Sequence, residues 1–167
     1  LTYLGEICIN LGHYNQAEDY LRQALSVYET IAEPYGQSRV MTALAYTYLH
    51  QGRYEETERL VGAALTRLRD SSERDPINVA RTINLSGTLH AYRLDYAAAE
   101  SCFVEASRLL THLLGAEHPL VAATTANMAD LEYLRADLVE AEGLYKEALA
   151  ILDRTSGAAT SNQIEWM

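Results

Sequence analysis

Small and bulky apolar residues return along this chain at spacings of three and four, and the whole arrangement itself returns every forty-odd residues. The anchors Tyr14, Tyr54, Tyr96 and Leu138 lie 40, 42 and 42 residues apart, each followed by a polar, alanine-rich stretch. A small residue comes first after each anchor: Ala17, Thr57, Ala99, Ala141. Four positions later comes a bulky one: Leu21, Val61, Phe103, Tyr145. Three further on is alanine again: Ala24, Ala64, Ala106, Ala148. Those spacings put all of them on one helical face. The small residues let a neighbouring helix approach, and the larger one fills the gap beside it.

Upstream of each anchor is a large–small pair: Leu4-Gly5, Leu44-Ala45, Leu85-Ser86 and Met128-Ala129. It belongs to a first helix that packs on the second. The third repeat has one extra residue between pair and anchor, so a different turn is expected there. Pro34, Pro76 and Pro119 precede first helices, where a missing N–H costs nothing, and Asp75 is placed to cap one of them. The pattern predicts eight helices, at roughly 1–11, 14–32, 35–51, 54–70, 76–93, 96–114, 118–135 and 138–154. One such hairpin cannot bury its own apolar face, so neighbours must stack. The expected fold is all-α: a right-handed α-solenoid of about four helix–turn–helix repeats, near 1–33, 34–75, 76–117 and 118–154. A closed bundle of eight helices is the competing architecture, and it gives no reason for the regular period. Residues 155–167 read as a flexible tail or the start of a capping helix.

The repeated positions resemble those of the tetratricopeptide repeat across nearly all of residues 1–154. The period exceeds the roughly 34 residues usual in that family and is similar to the longer repeats of kinesin light chains and of many bacterial and fungal regulators. The stretches Leu114-Gly115-Ala116-Glu117-His118-Pro119-Leu120-Val121-Ala122 and Asp75-Pro76-Ile77-Asn78-Val79-Ala80-Arg81-Thr82-Ile83-Asn84 carry the narrower likeness. One asparagine of the usual pair stands in each of these repeats, Asn84 and Asn127, and Thr42-Ala43 replaces them in the second.

The resemblance implies that first helices line a concave, ligand-binding surface. The stripe not used by the large–small pair would then face a ligand. In the second repeat it holds Arg39, Thr42, Ala43, Tyr46, Leu49 and His50. In the third it holds Ala80, Ile83, Asn84, Gly87, His90 and Ala91. In the fourth it holds Ala123, Ala126, Asn127, Asp130, Tyr133 and Leu134. Thr2, Glu6, Ile9 and Asn10 continue it in the first. Amides pair with both N–H and C=O of a peptide, and tyrosine adds amphipathic area. By resemblance, Asn84 and Asn127 match asparagines that grip a ligand backbone; the alternative is that they cap or bridge helices. Tyr14, Tyr54 and Tyr96 are expected to pack at the repeat turns.

The net charge of −10 leaves no basic stripe to release phosphate counterions, so neither nucleic acid nor an anionic membrane is the expected partner. A basic or mixed peptide suits this field better. Cys8 and Cys102 read as reduced core thiols of a cytoplasmic protein. Leu1 starts in mid-helix without an initiator Met, so a piece of a longer protein is expected.

No glycine-rich phosphate loop, nucleophile elbow or spaced metal pair occurs. His50 and His90 occupy similar places on successive repeats, which leaves room for a shared metal or a pH-sensitive contact. The recurring Glu18, Glu58, Glu100 and Glu142 read as a solvated helix face. The chain is therefore expected to be a protein- or peptide-binding scaffold with no catalytic residue, metal or cofactor, in a larger regulatory or adaptor protein. The other reading is a structural homo-oligomer stacking through its end repeats. The tail's Ile164-Glu165-Trp166 resembles the tryptophan–acidic peptides that dock in kinesin-light-chain-type grooves.

Overall fold

The computed structural model describes residues 1–70 and 75–164, with the backbone alone at 69–70 and 156–164. Trp166 and the docking reading attached to it lie outside the described residues. Among the described residues are eight helices and no strand. They are α1 (Thr2–Asn10), α2 (Tyr14–Thr30), α3 (Pro34–His50), α4 (Tyr54–Asp70), α5 (Pro76–Tyr92), α6 (Tyr96–Leu114), α7 (Pro119–Leu134) and α8 (Leu138–Ile164). Two compact units divide the chain at Leu89 and His90.

The hairpin turn is the same in every repeat. Gly12, Gly52, Leu94 and Ala136 adopt left-handed backbone, with φ of +73°, +75°, +64° and +65°. The next residue then donates its N–H back across the turn: His13 to Cys8 at 2.8 Å, and Arg53 to Tyr48, Asp95 to His90 and Asp137 to Glu132, each at 2.9 Å. This is the closure that satisfies the last carbonyls of a helix. The different third turn expected from the sequence is therefore not found. Counting seven residues back from the left-handed residue gives Gly5, Ala45, Gly87 and Ala129, all buried. The small residue of the third pair is Gly87, not Ser86, so no extra residue enters the turn.

The small residues set how closely the helices meet. A Cβ on Gly5 would fall 2.5 Å from Leu21 Cγ, so α1 rests on α2 only because that atom is missing. Ala17, Leu21 and Ala24 on α2 join Val40, Leu44, Ala45 and Tyr48 on α3, then Val61 and Ala64 on α4, in the core of the first unit. Leu85 and Leu89 of α5 complete it. In the second unit Phe103 packs with Ala91, Ala99 and Leu131, and Ala141, Ala148 and Ile151 of α8 are buried as well.

Each helix start has a local cause. Pro34, Pro76 and Pro119 open α3, α5 and α7. Glu33 accepts from Tyr35 N–H at 3.0 Å and Gly36 N–H at 2.6 Å. Asp75 accepts from Asn78 N–H at 3.0 Å, as its position predicts. His118 Nδ1 accepts from Leu120 N–H at 3.1 Å. These caps satisfy donors that have no partner within the helix. At its other end α8 continues to Ile164, ten residues past Arg154 where the repeat pattern stops. Thr155 Oγ1 lies 2.9 Å from Glu117 O, and Arg154 pairs with the Glu117 carboxylate. Cys8 is buried, but Cys102 is only half-buried rather than a core residue.

Polar links join successive repeats within each unit. Thr42 Oγ1 lies 2.8 Å from Thr82 Oγ1, forty residues on, with both hydroxyls buried. Glu18 receives both of its oxygens' bonds from Arg53 Nη1 at 3.0 Å and pairs with Arg22 at 2.7 Å. Arg53 also covers the Tyr48 ring at 3.8 Å. In the second unit Arg135 reaches Glu100 at 2.6 Å and Glu132 at 2.8 Å. Glu18 and Glu100 are thus cross-repeat ion-pair partners, not members of a merely solvated face. Burial of Glu18 opposes its charge, but hydrogen bonds from Arg53 and Gln51 and the charges of Arg22 and Arg53 hold its pKa below the ordinary value.

Two outcomes follow. A depressed folded-state pKa means that the ionised Glu18 stabilises the fold above its unfolded pKa, about 4.3, and that this contribution fades as pH falls through the lower folded value. Urea denaturation from pH 7 to pH 3 should show a shallower acid loss for Glu18→Gln than for the native chain; equal slopes would refute the pairing. Phe103→Ala should lower unfolding free energy by about 3–5 kcal/mol, the usual cost of emptying a fully buried aromatic site, read in the same denaturation.

Candidate functional site

The open stripe of α3 is narrower than the sequence suggests. Thr42, Ala43 and Leu49 are buried, as are Ala80, Ile83, Gly87 and Ala91 on α5. Burial withdraws Thr42, Leu49 and Ile83 from the accessible surface, so they serve packing here. Thr42 in particular spends its hydroxyl on Ser38 O and Thr82.

Arg39, Tyr46 and His50 remain accessible on α3. Arg39 Nη2 stands 3.7 Å from Glu6 Oε1 of α1. Burial opposes the guanidinium charge, yet Glu6, Tyr35 and Tyr3 raise its pKa above the ordinary value. His50 lies between two tyrosines. Its ring stacks on Tyr14 at 5.1 Å and 3°, and meets Tyr46 at 4.4 Å and 50°. Those rings take water from its faces, and that desolvation lowers its pKa. The sequence assigns Tyr14 to turn packing and does not reveal its stacking on His50, 36 residues away.

On α5, Asn84 is half-buried and its Oδ1 is buried without a hydrogen-bond partner. His90 lies half-exposed, its Nδ1 3.7 Å from Asp95 Oδ2. The supposed equivalence of His50 and His90 fails on the turn register. His50 stands two residues before its left-handed residue and His90 four before, so Tyr92 matches His50. Among the described residues, no three His, Cys, Asp or Glu side chains form a group that could hold a metal ion.

On α7, Asn127 is half-buried, whereas Ala123, Asp130, Tyr133 and Leu134 are exposed. The Tyr145 hydroxyl of α8 donates to Asp130 Oδ1. That bond, with burial and the Asp130 charge, pushes the phenol pKa up to about 12, so the proton stays in place. Tyr145 was read only as the bulky packing residue of its repeat. The common element that sequence reasoning missed is a register position. Six residues before each left-handed residue stand Glu6, Tyr46, Thr88 and Asp130, all partly or fully exposed, each directly after a buried small residue. Counting from the turns finds them; counting from the large–small pairs misplaces the third.

No helix among the described residues is long and apolar enough to cross a membrane. The curated proteins include no match to this chain. BtubC (BKLC) from P. vanneervenii is similar in structure, with a TM-score of 0.68 at 20% sequence identity over 86% of this chain. The match spans 59% of that protein's length. A putative kinesin light chain of nearly identical TPR-like repeats from Podosopora anserina also matches, at 15% identity over 92% of this chain and 94% of its own, with a TM-score of 0.41. The tetratricopeptide repeat model matches residues 1–70 and 78–154. With matched segments covering nearly all eight helices and the same hairpin closing four times, the chain belongs to the tetratricopeptide repeat family.

Proposed function

We propose that this chain is a binding scaffold that takes an extended protein segment along the open stripe of its first helices, as a cytoplasmic adaptor module of a larger regulatory protein. Repeats of its family are in general protein-interaction modules. The observation that carries the reading is the shared register of Glu6, Tyr46, Thr88 and Asp130. Within each unit the fold buries the residue just before and leaves this one accessible, so carboxylate, phenol and hydroxyl groups recur at one place on successive first helices. A peptide backbone and its side chains need such spaced donors, acceptors and aromatic surface. Half-buried Asn84 and Asn127 lie beside that register and supply amides. Binding rather than catalysis is the activity these groups suit, and no cofactor enters it.

A peptide array followed by fluorescence anisotropy tests the reading. Tyr46→Ala should weaken selected peptides by about tenfold, the effect of losing an aromatic anchor, and Asn84→Ala/Asn127→Ala should weaken them further. Undiminished binding of the same peptides by both variants would refute the assignment to this stripe.

A further inference from the structure

Three aromatic rings meet where α3 ends. His50, its last residue, lies parallel to Tyr14 of α2 within 3°, with ring centroids 5.1 Å apart. Atoms in contact lie about 3.5–4.0 Å apart, so neither ring eclipses the other at contact distance. Tyr46 meets His50 at 4.4 Å and is inclined to it by 50°, which turns ring surface in a second direction. Ala43 and Leu49, beside them on α3, are buried, so the rings stand on packed structure. Tyr46 is 41% exposed, and His50 is exposed as well. That openness does not come from missing neighbours. Helix α3 touches α1 through Arg39 and Glu6, and α5 through Thr42 and Thr82. The cluster is what the flanking repeats leave uncovered.

The face of an aromatic ring is negative and draws a cation where nearby charges do not oppose it. Desolvation lowers the pKa of His50 and so favours its uncharged ring. The cluster sits at the C-terminus of a 17-residue helix, the negative end of its dipole. Arg53, three residues on, spends its charge on Glu18 at 3.0 Å and Glu56 at 2.5 Å. Arg39 stands eleven residues back, about 16 Å along the helix axis and beyond the roughly 8 Å over which charges act in physiological salt. The same hairpin already makes a contact of this kind, with the Arg53 guanidinium 3.8 Å from the centre of the Tyr48 ring. We propose that Tyr14, Tyr46 and His50 form a subsite for an arginine side chain of the bound segment, its guanidinium lying against the rings. This rests on the reading of the α3 stripe as a peptide-binding face. Arginine is the fitting cation because its planar, weakly hydrated group stacks on rings, whereas the ammonium of lysine is a strongly hydrated point charge.

The test titrates the full chain with acetyl-Ser-Ala-Arg-Ala-Ser-amide and with its citrulline counterpart, which keeps the shape and drops the charge. Aromatic NMR signals of Tyr14, Tyr46 and His50 should shift with the arginine peptide at millimolar concentration. Its Kd should be about threefold lower than that of the citrulline peptide, the size of one exposed cation–π contact. Tyr46→Ala, at an exposed position and checked for native helix content by circular dichroism, should level the two affinities. Tyr46→Phe, which keeps the ring face and loses only the hydroxyl, should retain the preference. His50→Lys, which fixes a cation in the cluster, should abolish it. Three results overturn the proposal: no shift of these signals, equal affinities in the native chain, or a preference that survives Tyr46→Ala. The last marks attraction to the net charge of −10 alone. The broader reading fails separately. Array-selected peptides that lose affinity on Tyr46→Ala without favouring arginine over citrulline would uphold the stripe and sink the subsite.

Discussion

Two helices can lie side by side only as closely as the side chains between them allow, and in this chain that limit is reached at Gly5. The missing Cβ there would overlap Leu21 Cγ, at 2.5 Å. Ala45, Gly87 and Ala129 hold the same register at the later hairpins, and all are buried. Given that approach, the bulky residues facing it fill the space left and the hairpin closes over them. Ala17, Ala24, Ala64, Ala99 and Ala106 extend the same constraint along the second helices. The cost of adding one methylene at such a seam is that of overpacking a dense interior.

The polar groups that cross between repeats depend on this seam for their geometry. Arg53 can bond both oxygens of Glu18 because the turn holding it is fixed by the Tyr48 carbonyl bond behind it. Tyr48 then serves twice more, as the ring beneath the guanidinium and as the hydroxyl that accepts from Arg22. A strongly hydrated charge gains little from an exposed partner, but here one guanidinium is held by two carboxylates, an amide and a ring at once. The arrangement fixes register more than it adds free energy.

Much of the fold was legible because a helix writes its packing face into spacings of three and four. Ala17, Leu21 and Ala24 announce their face without help from any other residue. The proline starts and the Asp75 cap were equally local, and both were found where expected. What escaped was information carried between repeats. The Glu18–Arg53 pair joins residues 35 apart, and its register depends on how two hairpins lean together. The third large–small pair was misplaced by one residue because Leu85-Ser86 looked more like its counterparts than Ser86-Gly87 does. For the surface, periodicity separated packing faces from open ones, but it could not show that Thr42, Leu49 and Ile83 are buried.

The four turns reach one conformation by two chemical routes. Glycine enters left-handed backbone at no steric cost, and Gly12 and Gly52 do so. Leu94 and Ala136 carry a Cβ into the same region, at a cost of about 1–2 kcal/mol each. Their backbone is held by the flanking helices against a local preference, so the later hairpins are under tension where the earlier ones are relaxed. A fluctuation that opens either turn releases that tension, and the opening is correspondingly easier. Amide hydrogens near Asp95 and Asp137 should therefore leak to solvent sooner than those near His13 and Arg53, where glycine makes the same turn without strain.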